Sequence, residues 1–204
     1  MLIPLNHLAI KYNLKIKGVL HIGAHLCEEK DDYLKYTNNI IWIEGNPDIA
    51  NKFNDVYNYL ISDKDDETVN FNISNNGQSS SILEFGLHKT LHPHIWYVDK
   101  KELKTTRLDT FYKKENIKED YANFINLDIQ GIELQALKSL DNILKNFDYI
   151  YTEVNRDYTY KNNSLINEID EYVKKFGFER VETKWYENKC SWGDAFYVKN
   201  NKCF

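Results

Sequence analysis

The stretch Gly18-Val-Leu-His-Ile-Gly-Ala-His25, followed by Ile40-Ile-Trp-Ile-Glu44, decides how this chain reads. An apolar run ends in a glycine turn, a polar segment follows, and a second apolar run ends on an acid. About 20 residues separate the turn glycine from that acid, the spacing of nucleotide-binding α/β units. Gly23 lets the backbone turn tightly and admits a ligand close to the main chain. Glu44, at the tip of the second predicted strand, can accept hydrogens from both hydroxyls of a ribose. Together they predict a site for an adenosine-bearing cofactor.

Outward from this unit, strands and helices alternate. Gly18–Ile22, Ile40–Ile43, Val56–Ile61, Asn123–Leu127 and Phe147–Val154 read as five buried strands. Helical patterns cover Leu2–Asn13 (an N-terminal helix within residues 1–15), Glu28–Tyr36, Pro47–Phe53 behind an Asn46 cap, Leu108–Tyr112, Ile132–Asn146 and Leu165–Phe176. Thr68–Ile73 alternates like a half-exposed strand, and residues 78–104 show no clear period and read as a loop or lid. Phe178–Trp185 and Ala195–Val198 follow each other with no helix between them. Alternation of this kind requires parallel pairing with right-handed crossovers, and the last two strands must pair antiparallel. The expected fold is α/β in one domain over residues 1–204: a mostly parallel, seven-stranded sheet with an antiparallel C-terminal hairpin and helices on both faces. That hairpin separates a methyltransferase-like Rossmann fold from an ordinary dinucleotide-binding one.

Composition narrows the function. The chain has 204 residues, 42% hydrophobic and 14% aromatic, enough for one substantial core. A net charge of −5 argues against general nucleic-acid binding, which rests on a basic face. Lys100, Lys101, Lys104 and Arg107 could meet an anionic substrate, but a solvated connection is the plainer reading. Cys27, Cys190 and Cys203 are odd in number and unpaired in spacing, which predicts thiols in a reducing compartment. The first ten residues lack the basic start of a signal peptide, and no segment reaches the length of a membrane span. A soluble, cytoplasmic protein without a membrane partner is expected.

The first loop, Gly23-Ala-His25-Leu-Cys27, is not G-x-G-x-x-G. A pyrophosphate needs close approach at several glycines, so NAD is disfavoured. S-adenosylmethionine, which carries no phosphate, tolerates larger side chains there.

With these residues in view the chain resembles the FkbM-type family of S-adenosylmethionine-dependent methyltransferases, over nearly its whole length. Val19-Leu-His-Ile-Gly-Ala-His25, Ile43-Glu-Gly-Asn-Pro47, Ser79-Ser-Ser81, Arg107-Leu-Asp109, Asn126-Leu-Asp-Ile-Gln-Gly-Ile-Glu133, Glu153-Val-Asn155 and Trp192-Gly-Asp-Ala-Phe-Tyr197 carry the resemblance. The family pattern has Asp at position 21, Asn at 25, Gly at 27 and Glu at 130, where this chain has His21, His25, Cys27 and Gln130. The resemblance implies the class I methyltransferase fold and a cofactor site. Gly23 with His21, Ala24 and His25 would line the methionine portion and Glu44 would hold the ribose. Ser62 and Asp63 would lie near the adenine, where an Asp can accept from the exocyclic amine.

Asp128 leaves the fourth strand where ligands gather in open α/β sheets, and can contact the cofactor's amino group or the substrate. Glu153 and Asn155 end the neighbouring strand. Asp128 and Glu153 are the candidate catalytic pair. With Asn155 they could also form an octahedral cation set, but substrate hydrogen bonding without metal is the reading carried forward. Glu133 reads as a first-turn acid favoured by its helix. His88, His92 and His94 read as part of a surface loop rather than a zinc site. Trp192, beside Gly193, is the best candidate for an apolar wall against a sugar or other ring. The function expected is O-methylation of a sugar, glycan or small-molecule hydroxyl. The alternatives are a non-catalytic cofactor-binding module and an NAD-dependent oxidoreductase.

Overall fold

A computed structural model describes residues 1–187 and 191–200 of the chain. Its strands are β1 (Val19–Ile22), β2 (Ile40–Glu44), β3 (Val56–Asn58), β4 (Leu60–Ile61), β5 (Thr68–Ser74), β6 (Tyr97–Thr106), β7 (Phe124–Leu127), β8 (Tyr149–Asn155), β9 (Phe178–Trp185) and β10 (Trp192–Lys199). Its helices are α1 (Leu5–Lys11), α2 (Lys30–Tyr33), α3 (Pro47–Ala50), α4 (His88–Leu91), α5 (Leu108–Lys114), α6 (Glu133–Ser139) and α7 (Ile166–Lys174).

The apolar runs flanking the opening motif meet at the centre of a seven-stranded sheet of order β3-β2-β1-β7-β8-β10-β9. β1 is buried along its whole length between β2 and β7, parallel to both. β10 enters antiparallel between β8 and β9, so the C-terminal hairpin completes the sheet. Alternate side chains serve opposite faces. Leu20 and Ile22 join Leu108, Phe111 and Leu137 on one side, while Val19 joins Leu8, Tyr33 and Trp42 on the other. Successive connections leave β1 in opposite directions. The ends of β1, β2 and β7 therefore frame the crevice in which such sheets bind ligands.

Local sequence accounts for the element ends. Asn46 accepts the Asp48 N–H at 3.0 Å and Pro47 opens α3, as expected. The helix expected over Glu28–Tyr36 shrinks to one turn, because His25 (φ 42°) and Cys27 (φ 56°) spend the preceding residues in a left-handed turn. The helix expected through Asn146 stops at Ser139 and continues as a 3-10 turn from Asp141, whose φ is 49°.

Two expectations are corrected. Val56–Ile61 is two strands: β3 ends on the large sheet at Asn58, and Leu60–Ile61 pairs with β6 in a separate sheet of order β4-β6-β5. Residues 78–104 are only partly loop, since they hold α4 and most of the ten-residue β6. β6 carries Asp, Lys and Glu on both faces and is exposed through most of its length, so no apolar alternation marks it. Lys101 reaches Asp48 at 2.5 Å and Lys100 reaches Glu84 at 3.9 Å, on this solvated ribbon. Among the described residues, no helix is long and apolar enough to cross a membrane. Cys27 is a buried free thiol, and Cys190 and Cys203 lie outside the described residues.

Candidate active site

A cleft of about 620 Å³ opens at the ends of β1, β2, β7 and β8, under the segment between β5 and β6. That is within the roughly 300–1,000 Å³ of ligand pockets. The turn after β1 forms its floor. Gly23 has φ +87°, and a Cβ there would stand 1.8 Å from the Asp128 carbonyl oxygen. No other residue type fits, because the ends of β1 and β7 touch at this point.

Every backbone N–H of this turn is engaged. Gly23 and Ala24 N–H both donate to the Ile43 carbonyl, at 2.9 and 3.0 Å, and Cys27 N–H donates to the Ala24 carbonyl at 2.7 Å. His25 N–H donates to Glu44 Oε2 at 2.9 Å and Leu26 N–H to Glu28 Oε2 at 3.2 Å. Glu44 Oε1 takes the Asn46 N–H at 2.7 Å. Glu44 is 8% exposed, and burial raises its pKa against the pull of these amides. Each carboxylate oxygen keeps a lone pair beyond its amide, and the side chain lines the cleft.

His21, 2% exposed, lines the cleft from the floor. Tyr33 Oη accepts the Asn126 amide at 2.6 Å, so its own proton goes to His21 Nδ1 at 3.1 Å. Burial lowers the His21 pKa to about 4, and the ring is neutral. Ala24 points into the core and is 1% exposed. His25 lines the cleft with Nδ1 on Glu28 at 2.8 Å.

At the far side Asp128 and Glu153 are brought together through one amide. Gln130 Nε2 donates to Asp128 Oδ1 at 2.6 Å and to Glu153 Oε2 at 3.0 Å, while Gln130 Oε1 takes the Tyr160 hydroxyl at 2.5 Å. The Asp128 surface is open to the cleft, but protein surrounds the site. Those surroundings, with the charges of Asp194 and Glu29, raise its pKa. Glu153 is buried, and its pKa rises well above the ordinary range through burial and then through Asp128 and Glu133. Glu133 Oε1 receives the Gly131 N–H at 3.0 Å and the Ile129 N–H at 3.3 Å, holding the turn that carries Gln130. Sequence reasoning missed Gln130 and Tyr160 as site residues. The signal in the sequence was its place between Asp128 and Gly131; its left-handed φ of 57° emerges only in the structure.

Ser62 and Asp63 are not brought to the cleft. Because β3 ends early, they follow β4, where Ser62 N–H pairs with the Thr106 carbonyl at 3.1 Å and Arg107 holds the Asp63 carbonyl at 2.8 Å. Tyr59, Leu60 and Ile61 line the cleft in their place. Asn155 is fully buried away from it. Among the described residues, no three His, Cys, Asp or Glu side chains are grouped to hold a metal ion.

The sequence pattern described as the methyltransferase FkbM domain matches residues 19–180. The chain belongs to the FkbM methyltransferase family. No curated protein matches the sequence. Similar solved structures include magnesium protoporphyrin IX methyltransferase from Synechocystis PCC 6803 with bound SAM, at 7% identity and TM-score 0.49, covering 96% of this chain and 76% of that one. Another is Burkholderia thailandensis 1,6-didemethyltoxoflavin-N1-methyltransferase, at 9% identity and TM-score 0.43, with the same two coverages. A third is the methyltransferase domain of bacterial Hen1, at 6% identity and TM-score 0.44, covering 96% and 95%.

The strand order of this FkbM-family chain is the Rossmann-like class I methyltransferase arrangement. Its departures from the family pattern acquire a physical setting. Positions 25 and 27 are left-handed, which Asn and Gly adopt readily and His25 and Cys27 adopt at some cost. The Arg107-Leu-Asp109 motif is structural: Arg107 Nε pairs with Asp109 at 2.9 Å while its other nitrogens hold backbone carbonyls. Ser81 Oγ donates to the Gln130 carbonyl at 2.8 Å, tying the serine turn to the carboxylate pair.

Proposed function

We propose that this FkbM-family protein moves the methyl group of S-adenosylmethionine to a hydroxyl oxygen of a sugar or other small acceptor. The observation that carries this reading is the coexistence, in one cleft, of a ribose-type acceptor at Glu44 and a paired carboxylate at Asp128 and Glu153. The cofactor fits the residues present. The turn amides are all consumed, so no cradle remains for a phosphate, whereas a sulfonium and an ammonium suit a cleft lined by carboxylates. Glu44 would hold the ribose, and Tyr59–Ile61 would stand where Ser62 and Asp63 were expected, beside the adenine.

When bound, S-adenosylmethionine supplies an electrophilic methyl carbon on a sulfur leaving group. The chain's own contribution is alignment and proton removal. The two carboxylates have unequal surroundings, and unequal surroundings assign roles. Glu153, more buried and facing three other acids, Asp128, Glu133 and Asp194, keeps its proton. Asp128, open to the cleft, is the ionised member and takes the acceptor's hydroxyl proton. Gln130 donates to both and holds them in register. We place the reaction in the cytoplasm, consistent with a free buried Cys27.

Calorimetry with S-adenosylhomocysteine, followed by a turnover assay that counts its release over a panel of hydroxyl acceptors, tests the reading. Micromolar binding with acceptor-dependent release is the expected result. Binding without release on any acceptor favours the non-catalytic module, and binding of NADH in place of S-adenosylhomocysteine favours the oxidoreductase.

A further inference from the structure

The loop after β8 is zipped, backbone to backbone, onto the segment between β5 and β6. Gly86 N–H donates to the Thr159 carbonyl at 2.9 Å, Leu87 N–H to the Tyr158 carbonyl at 3.0 Å and Lys161 N–H to the Glu84 carbonyl at 2.8 Å. Gly86 permits this approach, since a Cβ there would stand 2.3 Å from the Tyr158 carbonyl oxygen. Tyr160, 1% exposed, is mounted in this seam. Its N–H donates to Asn163 Oδ1 at 2.9 Å, and its ring packs 5.5 Å from that of Phe85, which stacks on Tyr97 at 4.0 Å.

The turn that carries Gln130 is held by the same assembly. Ser81 Oγ donates to the Gln130 carbonyl at 2.8 Å and Ser164 N–H to the Gly131 carbonyl at 2.9 Å. Gly131 has φ +109°, and a Cβ there would stand 2.9 Å from Asn163 Cβ. Tyr160 hydroxyl and Gln130 amide thus meet from one support. The hydroxyl has one proton and two acceptors within reach, Gln130 Oε1 at 2.5 Å and the Ser79 carbonyl at 3.3 Å, and the nearer takes it.

The two ends of a glutamine amide have nearly the same shape and opposite roles. A donor at Oε1 leaves Nε2 for the carboxylates and polarises the amide, which strengthens its N–H bonds. Those bonds favour the charged form of Asp128. Turned end for end, the amide would set an oxygen against Asp128 and Glu153 and favour their protonated forms. The other charges facing the pair are Glu133 of α6, Asp194 of β10, Glu29 ahead of α2 and, with opposite sign, the Met1 ammonium. Tyr160 adds no charge of its own. Burial, then Glu153, Tyr97, Asp128 and Glu133, holds its pKa well above the usual phenol range.

We propose that Tyr160 is a positioning residue of this site, and that it acts through the Gln130 amide, whose nitrogen it holds against Asp128 and Glu153. The consequence is an ionised Asp128, ready to take the acceptor's proton. The proposal rests on the reading of Asp128 as the base and adds the residue that sets its charge. It also makes that charge depend on how the segment between β5 and β6 is seated.

Carboxyl 13C NMR of the unliganded chain, labelled in its Asp and Glu side chains, follows the titration of Asp128, with Asp128→Asn identifying its signal. Tyr160→Phe keeps the ring and removes the hydroxyl, and should raise the Asp128 midpoint by about half a pH unit or more. Gln130→Met fills the space of the amide without its donor and should raise the midpoint as well. Tyr160→Phe added to Gln130→Met should then change nothing further, whereas a separate packing role would add. In single-turnover assays Tyr160→Phe should lose about threefold in rate below the midpoint and regain it at high pH, with S-adenosylhomocysteine affinity held within about twofold. An unchanged or lowered midpoint in either single variant overturns the proposal, as does an equal shift from Tyr160→Phe in the Gln130→Met background. A lower melting temperature with no change in midpoint assigns Tyr160 to packing alone. Failure of S-adenosylhomocysteine to bind, while the midpoint moves as expected, overturns the methyltransferase reading and leaves the positioning role standing.

Discussion

Asp128 and Glu153, on neighbouring strands, share a single donor: the amide nitrogen of Gln130 stands 2.6 Å from one carboxylate and 3.0 Å from the other. Asp128 is among the charges that raise the Glu153 pKa, so ionising one opposes ionising the other. The amide lowers the repulsion without adding a charge, and the Tyr160 hydroxyl fixes which way the amide points.

Asp128→Asn is expected to lower turnover by about 10²–10⁴-fold, the usual worth of a general base, with little change in S-adenosylhomocysteine affinity. Glu153→Gln mimics the protonated form that the site already holds and should cost less. Single-turnover rates beside calorimetry check both. Equal losses of rate and cofactor affinity in Asp128→Asn would make Asp128 a cofactor ligand.

The pH dependence follows from the direction of the shifts. The ionised base is lost as pH falls through a raised Asp128 pKa, so kcat/KM should rise with pH through a midpoint above the ordinary value of about 3.9. Stability runs the other way for Glu153. A carboxyl with a raised folded pKa stabilises the fold below its unfolded pKa, and that contribution is lost as pH rises through the folded pKa. Glu153→Gln should therefore match wild type near pH 4 and gain in melting temperature over it as pH increases. A pH-independent difference in thermal scans would contradict the assignment.

Gln130→Glu places a third acid between two. We expect the pH midpoint of activity to move upward and the melting temperature at pH 8 to fall. Gln130→Ala should instead lower kcat at every pH by letting the pair separate. Profiles of the two variants, measured side by side, distinguish charge from positioning.

Glu44→Gln should weaken S-adenosylhomocysteine binding by about 1.5–3 kcal/mol, through loss of a charged acceptor. Glu44 also holds the His25 and Asn46 amides, so a modest fall in melting temperature should accompany the loss. Calorimetry showing wild-type affinity would remove the ribose assignment.

For Gly23, the structure changes what a substitution is expected to do. A turn glycine that served only to admit a ligand would lose binding on substitution with the fold largely retained. The Asp128 carbonyl at 1.8 Å from a Cβ means that even Gly23→Ala must spread β1 from β7. We expect about 3 kcal/mol of destabilisation in denaturant titrations, along with loss of binding.

How far the sequence carried depended on burial. β1, β2, β7 and β8 are buried on both faces, and their apolar runs are plain in the text of the chain. β6 is solvated, so it left no pattern, and without it nothing showed that Val56–Ile61 divides between two sheets. That one unseen strand is why Ser62 and Asp63 were expected beside the cofactor. That Glu44, Gly23, Asp128 and Glu153 line one cleft was legible because strand ends in such sheets converge by topology alone. Gln130 and Tyr160 reach the pair through a left-handed turn and a distant loop, which no periodicity encodes.

The turn from Gly23 to Cys27, whose amides all donate within the protein, sets how this cleft fares among a cell's small molecules. ATP, NAD and their relatives share the adenosine half of the proposed cofactor, and they compete for any pocket that recognises only that half. In the proposed orientation their phosphates would reach a turn with no free backbone N–H and a carboxylate beside it. On the proposed reading, discrimination against these competitors would be a property of the unliganded chain, present before any ligand arrives and independent of how tightly the adenosine is held.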